Sequence, residues 1–368
     1  MINQITSLFK KSGGAVGVEI NPEKINITQV TKQGSQYKLH KNVSALVPEG
    51  VYEDGEIVDS LTLSELIKDT FKQNGISANE VITAVPMREA IIRIIPVPAE
   101  LDEEELKDII LVHEAGMHLP YPREEVDLDY VKLGYFMDED GIEKVNVLLV
   151  ATKKEVTDLY LEIFEQANLK VKTLEINSFA LIRSIKEQLR QFGSQEAVVL
   201  VDIEFDSTEI AIIVEGVPQF SRTVPIGTHQ MQNALIQGMG SPDADETISL
   251  QDVSLMSDDP QDGDGGNSQI NPGLSPLIGI VSELTDELGR SINFYLNQSE
   301  DLEIAQMILA GPGASIGQID EFFTQRLNLP AMPVDPVSAL SLEMGSNVAP
   351  MERSGLGIAL GLGMREVA

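Results

Sequence analysis

Cysteine is absent from the 368-residue sequence, which excludes disulfide bonds and thiolate chemistry and is typical of a cytoplasmic protein. Long apolar runs are absent as well, and no stretch approaches the ~18 apolar residues that predict a membrane-spanning helix. The opening segment, MINQITSLFKKSGG, has neither the apolar core nor the cleavage site of a secretory signal, so we expect no signal peptide.

Basic residues are scarce. There are 26 lysines and arginines against 58 aspartates and glutamates, and the net charge is −32. The longest basic clusters are the pairs Lys10-Lys11 and Lys153-Lys154. A nucleic-acid-binding protein needs a basic face to neutralise phosphates, and an anionic membrane surface would repel this chain. We therefore expect neither a nucleic-acid partner nor direct insertion into a membrane.

The length and composition predict a soluble protein with more than one domain. At about 150 residues per domain, the chain would form two or three units. Apolar residues make up 42% of the chain and charged residues 23%, as is typical of globular proteins.

Two stretches of the sequence share one pattern. AVGVEINPEKINITQV (15–30) and VVLVDIEFDSTEIAIIVEG (198–216) each contain an apolar strand that ends in a carboxylate, Glu19 or Asp202, before a turn and a second apolar strand. The first copy predicts strands 15–21, 24–31 and 36–46, helix 61–75 and strand 79–86. The second predicts strands 197–203, 209–214 and 217–225 and a helix near 228–238. The carboxylates are 202 − 19 = 183 residues apart, which favours two similar α/β lobes over a chance likeness of two meanders.

Residues 87–152 interrupt the first copy. They predict strand 90–97, helix 101–118, strand 126–137 and strand 143–151, a small α+β subdomain inserted in lobe one. Helix 153–168, strand 170–176 and helix 177–191 then return to that lobe. Residues 241–276 contain eight acidic residues and no lysine or arginine, so we predict a disordered surface loop, with an acidic partner-binding segment as the alternative.

The strand-end carboxylates are the first candidate site. A carboxylate at the tip of a buried strand can hold a water on Mg²⁺ opposite a phosphate, and the N–H groups of the following turn can hold the phosphate itself. One acid at a strand end more often caps a turn, but two copies in one chain favour phosphate binding. Asp202 is the candidate metal residue, acting through a water.

The second candidate is the glycine-rich turn in LAGPGASIGQIDEFF (309–323). Its glycines would let the backbone approach a ligand, and the following helix would offer free N–H groups; a simple tight turn into a helix is an equal alternative. In helix 277–298, Glu287 and Arg290 lie one turn apart, which an ordinary ion pair also explains.

The few histidines do not predict a metal site. HEAGMH (113–118) is not a zinc motif, because histidines five residues apart lie about 140° apart around an α-helix. The sequence also lacks a recognisable serine or cysteine nucleophile arrangement.

The two lobes, the acid-tipped hairpins and the late glycine turn together resemble the actin-like ATPase superfamily. The inserted block resembles the PilM family of type IV pilus assembly proteins, which is related to FtsA. The likeness is specific over about 79–190 and weaker over 198–226, 277–325 and 353–365. The stretches that carry it are AVPMREAIIRIIPVPAELDEEELKDII, HEAGMHLPYPREEVDLDYVKLG, LLVATKKEVTDLYLEIFEQANLKVKTLEINSFALIRSI and the closing GLGIALGLGMREVA.

The resemblance implies an actin-like (RNase H-like) two-lobe α/β fold with an FtsA/PilM-type α+β insert in lobe one. The implied lobe-one core is 1–86 with 153–194 and 345–368, and the insert is 87–152. The implied lobe-two core is 195–230 with 299–344, and 231–298 forms a fourth subdomain.

The resemblance also implies ATP and Mg²⁺ in a cleft between the lobes. The family's nucleotide-binding positions carry over to a first phosphate loop, a second phosphate loop, an adenosine turn and a ribose contact. In that order, they are Glu19, Asn21, Glu23 and Lys24; Asp202, Asp206, Ser207 and Thr208; Gly311, Gly313, Ala314 and Ser315; and Glu287, Arg290 and Ser291.

Both phosphate loops depart from the family's D-I-G pattern. They read Glu19-Ile20-Asn21 and Asp202-Ile203-Glu204, and the second adenosine glycine is Pro312. Asn21 can replace glycine by adopting the left-handed conformation, whereas an ionised Glu204 would repel a triphosphate. We therefore predict weak or absent nucleotide binding and no useful hydrolysis.

The sequence as a whole favours a cytoplasmic adaptor held at the inner face of the inner membrane by its partner. The resemblance implies that it binds the cytoplasmic N-terminal peptide of a PilN-like membrane protein, alongside other pilus platform and motor proteins. We place this peptide near Ile92 and Ile94, by β-addition or in an adjacent groove. The alternatives are an ATP-dependent small-molecule kinase, disfavoured by the missing glycines, and a filament-forming actin relative, mildly opposed by the net charge.

Overall fold

The computed structural model describes residues 16–34, 36–239, 249–256, 272–298, 302–344 and 348–367. The strands are β1 (Val16–Ile20), β2 (Lys24–Gln33), β3 (Gln36–Leu46), β4 (Tyr52–Glu53), β5 (Glu56–Ile57), β6 (Glu80–Val85), β7 (Ala90–Pro98), β8 (Val126–Met137), β9 (Glu143–Lys153), β10 (Lys170–Ile176), β11 (Glu196–Ile203), β12 (Thr208–Val214), β13 (Val217–Val224), β14 (Glu303–Ala310), β15 (Ala331–Pro333) and β16 (Glu343–Met344). The α-helices are α1 (Ser60–Gln73), α2 (Glu103–Asp108), α3 (Ala115–His118), α4 (Lys154–Gln166), α5 (Asn177–Ser184), α6 (Lys186–Leu189), α7 (Thr228–Met239), α8 (Ser275–Leu296), α9 (Ile319–Leu327), α10 (Pro336–Ala339) and α11 (Gly357–Met364).

The chain divides into two compact units. Unit 1 comprises Met1–Ala84, Ile163–Gln188 and Asp335–Ala368, and unit 2 comprises Val85–Glu162 and Leu189–Val334. The inserted block and the second copy of the repeat therefore both belong to unit 2. The four subdomain boundaries implied by the resemblance stay a prediction.

Five strands of each main sheet follow the same order, which confirms the predicted repeat, and the sheet of unit 1 has β16 in addition at one edge. In unit 1 the strand order is β10-β6-β1-β2-β3-β16, and in unit 2 it is β13-β12-β11-β14-β15. In each, a three-strand antiparallel meander leads to a parallel neighbour, β6 beside β1 or β14 beside β11. Glu19 lies opposite Asn26 in the first sheet, and Asp202 lies opposite Glu209 in the second. The two carboxylates thus occupy equivalent positions.

In unit 1, helix α11 packs into backbone contact with β1 and α5. A Cβ added at Gly361 would lie 1.8 Å from the Ala180 carbonyl oxygen, and one at Gly17 would lie 2.4 Å from the Gly363 nitrogen. The Thr28 hydroxyl donates a hydrogen bond of 2.6 Å to the Ala359 carbonyl. The glycines of the closing GLGIALGLGM segment are therefore needed for close packing.

The inserted block forms a three-stranded antiparallel sheet of order β7-β9-β8. One face is covered by the helical segment that begins at α2, and its core contains Ile95, Val97, Leu106, Ile110, Val145, Val147 and Leu149. α2 begins with a capping box: Asp102 accepts from the Glu104 and Glu105 backbone N–H groups, and Glu105 accepts from the Asp102 N–H.

Three expectations about helices and loops were wrong in part. The segment 101–118 is not one α-helix, because the backbone is π-helical over Ile109–Glu114. The predicted helix 177–191 breaks at Ile185, between α5 and α6. Within the predicted acidic loop, residues 249–256 are ordered, since Leu250, Val253 and Leu255 are buried in the core of unit 2. Residues 272–276 lead into α8, and the rest of the loop lies outside the described residues.

Candidate functional site

The first strand-end acid, Glu19, is buried in unit 1 among side-chain amides. It is 5% exposed, and its carboxylate accepts hydrogen bonds from Asn26 Nδ2 at 3.2 Å and Asn21 Nδ2 at 3.4 Å. Ser44 donates to the Asn26 oxygen at 2.6 Å, which orients that amide. Burial raises the pKa of Glu19 to about 7, although the two amides and Lys24 favour its charged form.

The loop that follows Glu19 is closed by one side chain. Asn21 Oδ1 accepts hydrogen bonds from the backbone N–H groups of Glu23, at 3.0 Å, and Lys24, at 2.9 Å. The Asn21 N–H donates to the Lys24 carbonyl at 3.1 Å. Asn21 does not have a positive φ, so the expectation that it replaces glycine through the left-handed conformation was wrong. Its carboxamide caps the turn instead. The Lys24 ammonium lies 3.4 Å from Glu23.

The second strand-end acid, Asp202, lies beneath the glycine-rich turn of unit 2. Asp202 is 2% exposed. A Cβ at Gly311 would lie 2.4 Å from the Ile203 carbonyl oxygen and 2.7 Å from Asp202 Oδ1, and one at Gly313 would lie 2.2 Å from Ile203 Cγ2. The sequence predicted that these glycines let the backbone approach a ligand, and that stays a prediction. What they approach in the structure is the end of β11, with Ala314 buried beside them.

The expectation that the α-helix begins directly at that turn was wrong. Residues 312–315 form a single 3-10 turn, and α9 begins only at Ile319. The Ala314 N–H donates to the Gly311 carbonyl at 3.2 Å, and the Ser315 hydroxyl donates to the Pro312 carbonyl at 2.7 Å. The N–H groups of the α9 terminus are therefore several residues away from the glycines.

The second loop, Asp202–Thr208, is closed by the beginning of α7. The Thr228 N–H donates to the Glu204 carbonyl and the His229 N–H to the Phe205 carbonyl, both at 2.9 Å. The Glu204 N–H donates to the Ser207 carbonyl, also at 2.9 Å. The hydroxyl of Thr208, which is fully buried, donates to the Ile226 carbonyl at 2.6 Å. The hydroxyl of Thr208, a predicted nucleotide-binding residue, is thus bonded to the protein's own backbone.

Asp206 in the second loop and Glu209 on β12 hold the beginning of the inserted block, which the sequence did not predict. Arg88 Nη1 lies 2.9 Å from Asp206 Oδ2, and the Met87 N–H donates to Glu209 Oε1 at 2.9 Å. Ser207 donates to Asp206 at 3.1 Å. Tyr160, buried near this cluster, has a raised pKa because of its burial. Arg88 lies between β6 and β7 beside Glu89, with which it also pairs at 3.7 Å, so the sequence offered a local partner and no signal for Asp206.

The ordered part of the acidic loop packs on the glycine-rich turn. Gln251 Nε2 donates to the Ser315 hydroxyl at 3.2 Å, and Ser254 bonds to the Gln318 side chain. The Leu255 N–H donates to the Gly317 carbonyl at 3.2 Å. Ser315, predicted to contact adenosine, is therefore engaged by the chain's own 249–256 segment.

The residues predicted near a ribose form an ion-pair cluster on α8. Glu287 Oε2 lies 2.6 Å from Arg222 on β13, and Glu287 Oε1 lies 3.1 Å from Arg290 one turn along the helix. The buried Ser291 hydroxyl donates to the Glu287 carbonyl at 2.9 Å. The helical ion pair is confirmed, and Arg222 is an additional partner that sequence spacing did not predict.

A phosphate bound in these loops would compete with acceptors of the protein itself. A phosphate site needs backbone N–H groups that point at the ligand without other acceptors. Here Asn21 already accepts from two N–H groups of the first loop, and Glu204 N–H of the second is bonded within its own turn. Among the described residues, no group of three or more histidine, aspartate or glutamate side chains is arranged to hold a metal ion.

The predicted peptide-binding residues lie on an outer strand of the insert. β7 pairs only with β9 in the three-stranded sheet. Ile92 is 9% exposed and Ile94 is half-buried. They pair with Val150 and Leu148 on β9, and so lie on the sheet face opposite the one that packs on α2.

The argument against a zinc motif in HEAGMH placed both histidines on one regular α-helix. The backbone over Ile109–Glu114 is π-helical instead.

Within the described parts of the chain, no helix is both long enough and apolar enough to cross a membrane.

The structure is similar to several solved structures of low sequence identity. A PilM-PilN type IV pilus biogenesis complex matches with 21% identity and a TM-score of 0.77, over 96% of this chain and 99% of that chain. The ethanolamine utilization protein EutJ from Carboxydothermus hydrogenoformans matches with 15% identity and a TM-score of 0.51, over 98% and 96%. MreB5 of Spiroplasma citri bound to ADP matches with 13% identity and a TM-score of 0.53, over 95% of each chain.

These likenesses show an actin-like α/β fold, as predicted. The family model described as type IV pilus assembly protein PilM matches residues 17–367, nearly the whole chain. The chain therefore belongs to the PilM family of type IV pilus assembly proteins.

Proposed function

We propose that this protein is an adaptor of the type IV pilus assembly platform, which binds the cytoplasmic N-terminal peptide of a PilN-like membrane protein through its inserted subdomain. Family membership over residues 17–367 supports the pilus role, and a similar solved structure is a PilM-PilN complex. Such a partner would hold the protein at the inner face of the membrane, where it would meet other platform and motor proteins.

The observation that carries the peptide site is the outer position of β7. Pro96 and Pro98 lack an N–H group, and proline is tolerated in a strand where its nitrogen faces away from the neighbouring strand. Ile92 and Ile94 occupy even-numbered positions along β7, as the two prolines do. Their N–H and C=O groups therefore face the same outer edge as the proline nitrogens. An extended peptide could pair there, while the isoleucine side chains contact alternate residues of the peptide or a groove beside it.

We further propose that nucleotide binds weakly and is not turned over usefully. The family fold is that of ATPases, and one similar structure holds ADP. The internal hydrogen bonds of both loops support weak binding, because a phosphate would have to displace the Asn21 carboxamide from two N–H groups.

A calorimetric titration with a synthetic peptide, the cytoplasmic N-terminus of the PilN-like protein encoded in the same genome, tests the adaptor role. We expect saturable micromolar binding to the wild type and at least about tenfold weaker binding to Ile94→Asp, since a buried charge would oppose the apolar contact. Leu61→Asp is the matched control, because Leu61 is 63% exposed on α1. Equal affinity for Ile94→Asp and the wild type would place the peptide elsewhere, and absence of binding to either would contradict the adaptor role.

A further inference from the structure

The β8–β9 hairpin exposes a cluster of large apolar side chains. Tyr135 is 63% exposed, Met137 62%, Ile142 54%, Val131 52% and Phe136 37%. Four of them stand on the 12-residue strand β8, and Ile142 is in the turn that leads to β9. Tyr135 and Met137 lie on one sheet face, opposite Val145 and Glu143, whereas Val131 and Phe136 lie on the other face, opposite Leu148 and Lys144. Single exposed apolar residues are ordinary, but several at the end of one outer strand mark an interaction surface.

The backbone of β8 is also open to pairing. β8 pairs with β9 from Val126 to Met137, and within the described residues no strand pairs with its other edge. Proteins usually protect such an edge with proline, an outward lysine or a bulge. β7, the opposite outer strand, carries Pro96 and Pro98. β8 carries no proline, its Lys132 is bonded to Glu103 at 2.7 Å, and its bulge, between Lys132 and Gly134, lies before Tyr135, Phe136 and Met137.

Acidic side chains surround this edge. Asp127 and Asp129 are exposed on the first half of β8, and Glu139, Asp140 and Glu143 are exposed around the turn. The surroundings therefore favour a partner with positive charge. They oppose a second copy of this chain, since two hairpins of the same sign would meet and the net charge is −32.

We propose that the outer edge of β8 is a second docking site, which takes a β-strand of a protein partner in which apolar and basic residues alternate. The strand pairs with the β8 backbone, its apolar side chains lie on the sheet face of Tyr135 and Met137, and its basic side chains lie on the opposite face, that of Asp127 and Asp129. This site is distinct from the proposed peptide site, because β9 separates β8 from β7.

A fluorescently labelled eight-residue peptide of alternating valine and lysine serves as the probe, with fluorescence anisotropy as the measurement. Its matched control has the same sequence with N-methyl groups on alternate backbone nitrogens, which keep the charge but prevent strand pairing. We expect the unmodified peptide to bind the wild type at least about tenfold more tightly than the methylated one, which is about 1.4 kcal/mol. Equal binding of the two would show charge attraction alone and overturn the proposal.

Substitutions on the protein locate the site. Tyr135→Asn with Met137→Asn should weaken binding of the unmodified probe at least fivefold, and Leu46→Asn, at a position 75% exposed on β3, should leave it unchanged. Ile94→Asp should also leave it unchanged, which separates this surface from the proposed function. Probe affinity unaffected by the double substitution would contradict the proposal. So would wild-type dimers in sedimentation equilibrium that the double substitution dissociates, because a second copy would then be the occupant.

Discussion

The two strand-end carboxylates occupy equivalent positions in sheets of the same topology, yet the loops behind them are closed by different contacts. In unit 1, the Asn21 carboxamide caps the loop after Glu19 from within. In unit 2, the N-terminus of α7 and the glycine-rich turn pack on the loop after Asp202 from outside. A duplicated topology therefore preserves where an acid stands without preserving what the acid and its loop contact.

The difference also bears on function. In both copies, polar backbone groups that a phosphate would use are bonded within the protein. In unit 2, the second loop also supports the inserted block through Arg88–Asp206, and β12, which follows the loop, supports it through Met87–Glu209. These contacts support the proposed adaptor role, in which holding the insert matters more than binding a nucleotide.

The largest expected effect is at Gly311. Its φ of 77° and ψ of 173° lie in a region accessible essentially to glycine, and a Cβ would lie 2.4 Å from the Ile203 carbonyl oxygen. We expect Gly311→Ala to lower the free energy of unfolding by about 3 kcal/mol, through strain and overpacking together. Chemical denaturation measures it. Gly216→Ala is the control: its φ is 79° but nothing lies within 4 Å, so a loss as large as that of Gly311→Ala would show that the contact with β11 is unimportant.

The next largest effect is the pH dependence that Glu19 gives to the free energy of unfolding. Its pKa is about 7 in the folded protein against 4.5 for an ordinary glutamate, so the folded state binds the proton more tightly. The stability that this tighter proton binding gives the folded state is fully present below pH 4.5 and is lost as the pH rises through 7. We expect Glu19→Gln to be more stable than the wild type at pH 8 by about 2 kcal/mol and to approach it near pH 4.5.

Unfolding free energies measured by urea titration from pH 4.5 to 8 test this difference. Glu53→Gln, at an exposed position of unit 1, controls for the loss of one negative charge. Parallel stability profiles for the wild type and Glu19→Gln would show that Glu19 is ionised throughout this range.

A smaller effect isolates the support that the second loop gives to the insert. Arg88 and Asp206 are each 24% exposed and 2.9 Å apart. A double-mutant cycle of Arg88→Ala and Asp206→Ala should give a coupling free energy of about 1.5 kcal/mol, typical of a partly buried charged hydrogen bond. The exposed pair Lys153–Glu155 is the control, and we expect no measurable coupling there. Equal coupling free energies for the two pairs would show that Arg88–Asp206 stabilises the protein no more than an exposed ion pair does.

The smallest effect concerns nucleotide binding. Asn21→Gly removes the carboxamide that accepts from Glu23 N–H and Lys24 N–H, and restores the family's glycine. We expect ATP affinity, measured by equilibrium dialysis with Mg²⁺, to rise about fivefold, or ~1 kcal/mol. Asn42→Gly on β3 is a control for a general loosening of unit 1. No gain in affinity from Asn21→Gly would indicate that the first loop is not what limits binding.

The sequence predicted the elements with strong periodicity and missed contacts between distant parts of the chain. The two meanders follow from apolar runs with an acid at the end, and the turn at Glu215-Gly216 is confirmed by two positive φ values. The π-helical turn at 109–114 replaces an α-helix whose sequence pattern shows no break. The residues 249–256 look like acidic loop by composition, but three apolar side chains among them are buried in the core.

The candidate site was less predictable than the fold. Its residues were carried over by position, and position does not say whether a side chain faces a ligand or the protein itself. Thr208 and Ser291 donate to backbone carbonyls, and Ser315 is bonded to Gln251 from a segment more than 60 residues away in the chain. Arg88 and Arg222 were missed because their partners are distant in sequence.

The most direct test of the account is the affinity of the nucleotide-free protein for the PilN-like peptide, measured by calorimetry with and without saturating Mg-ATP. Loops already closed by the protein's own hydrogen bonds predict saturable micromolar binding that Mg-ATP leaves unchanged within twofold. Peptide binding that appears only when Mg-ATP is present would contradict the account, because the loops would then be a working nucleotide site that controls the adaptor.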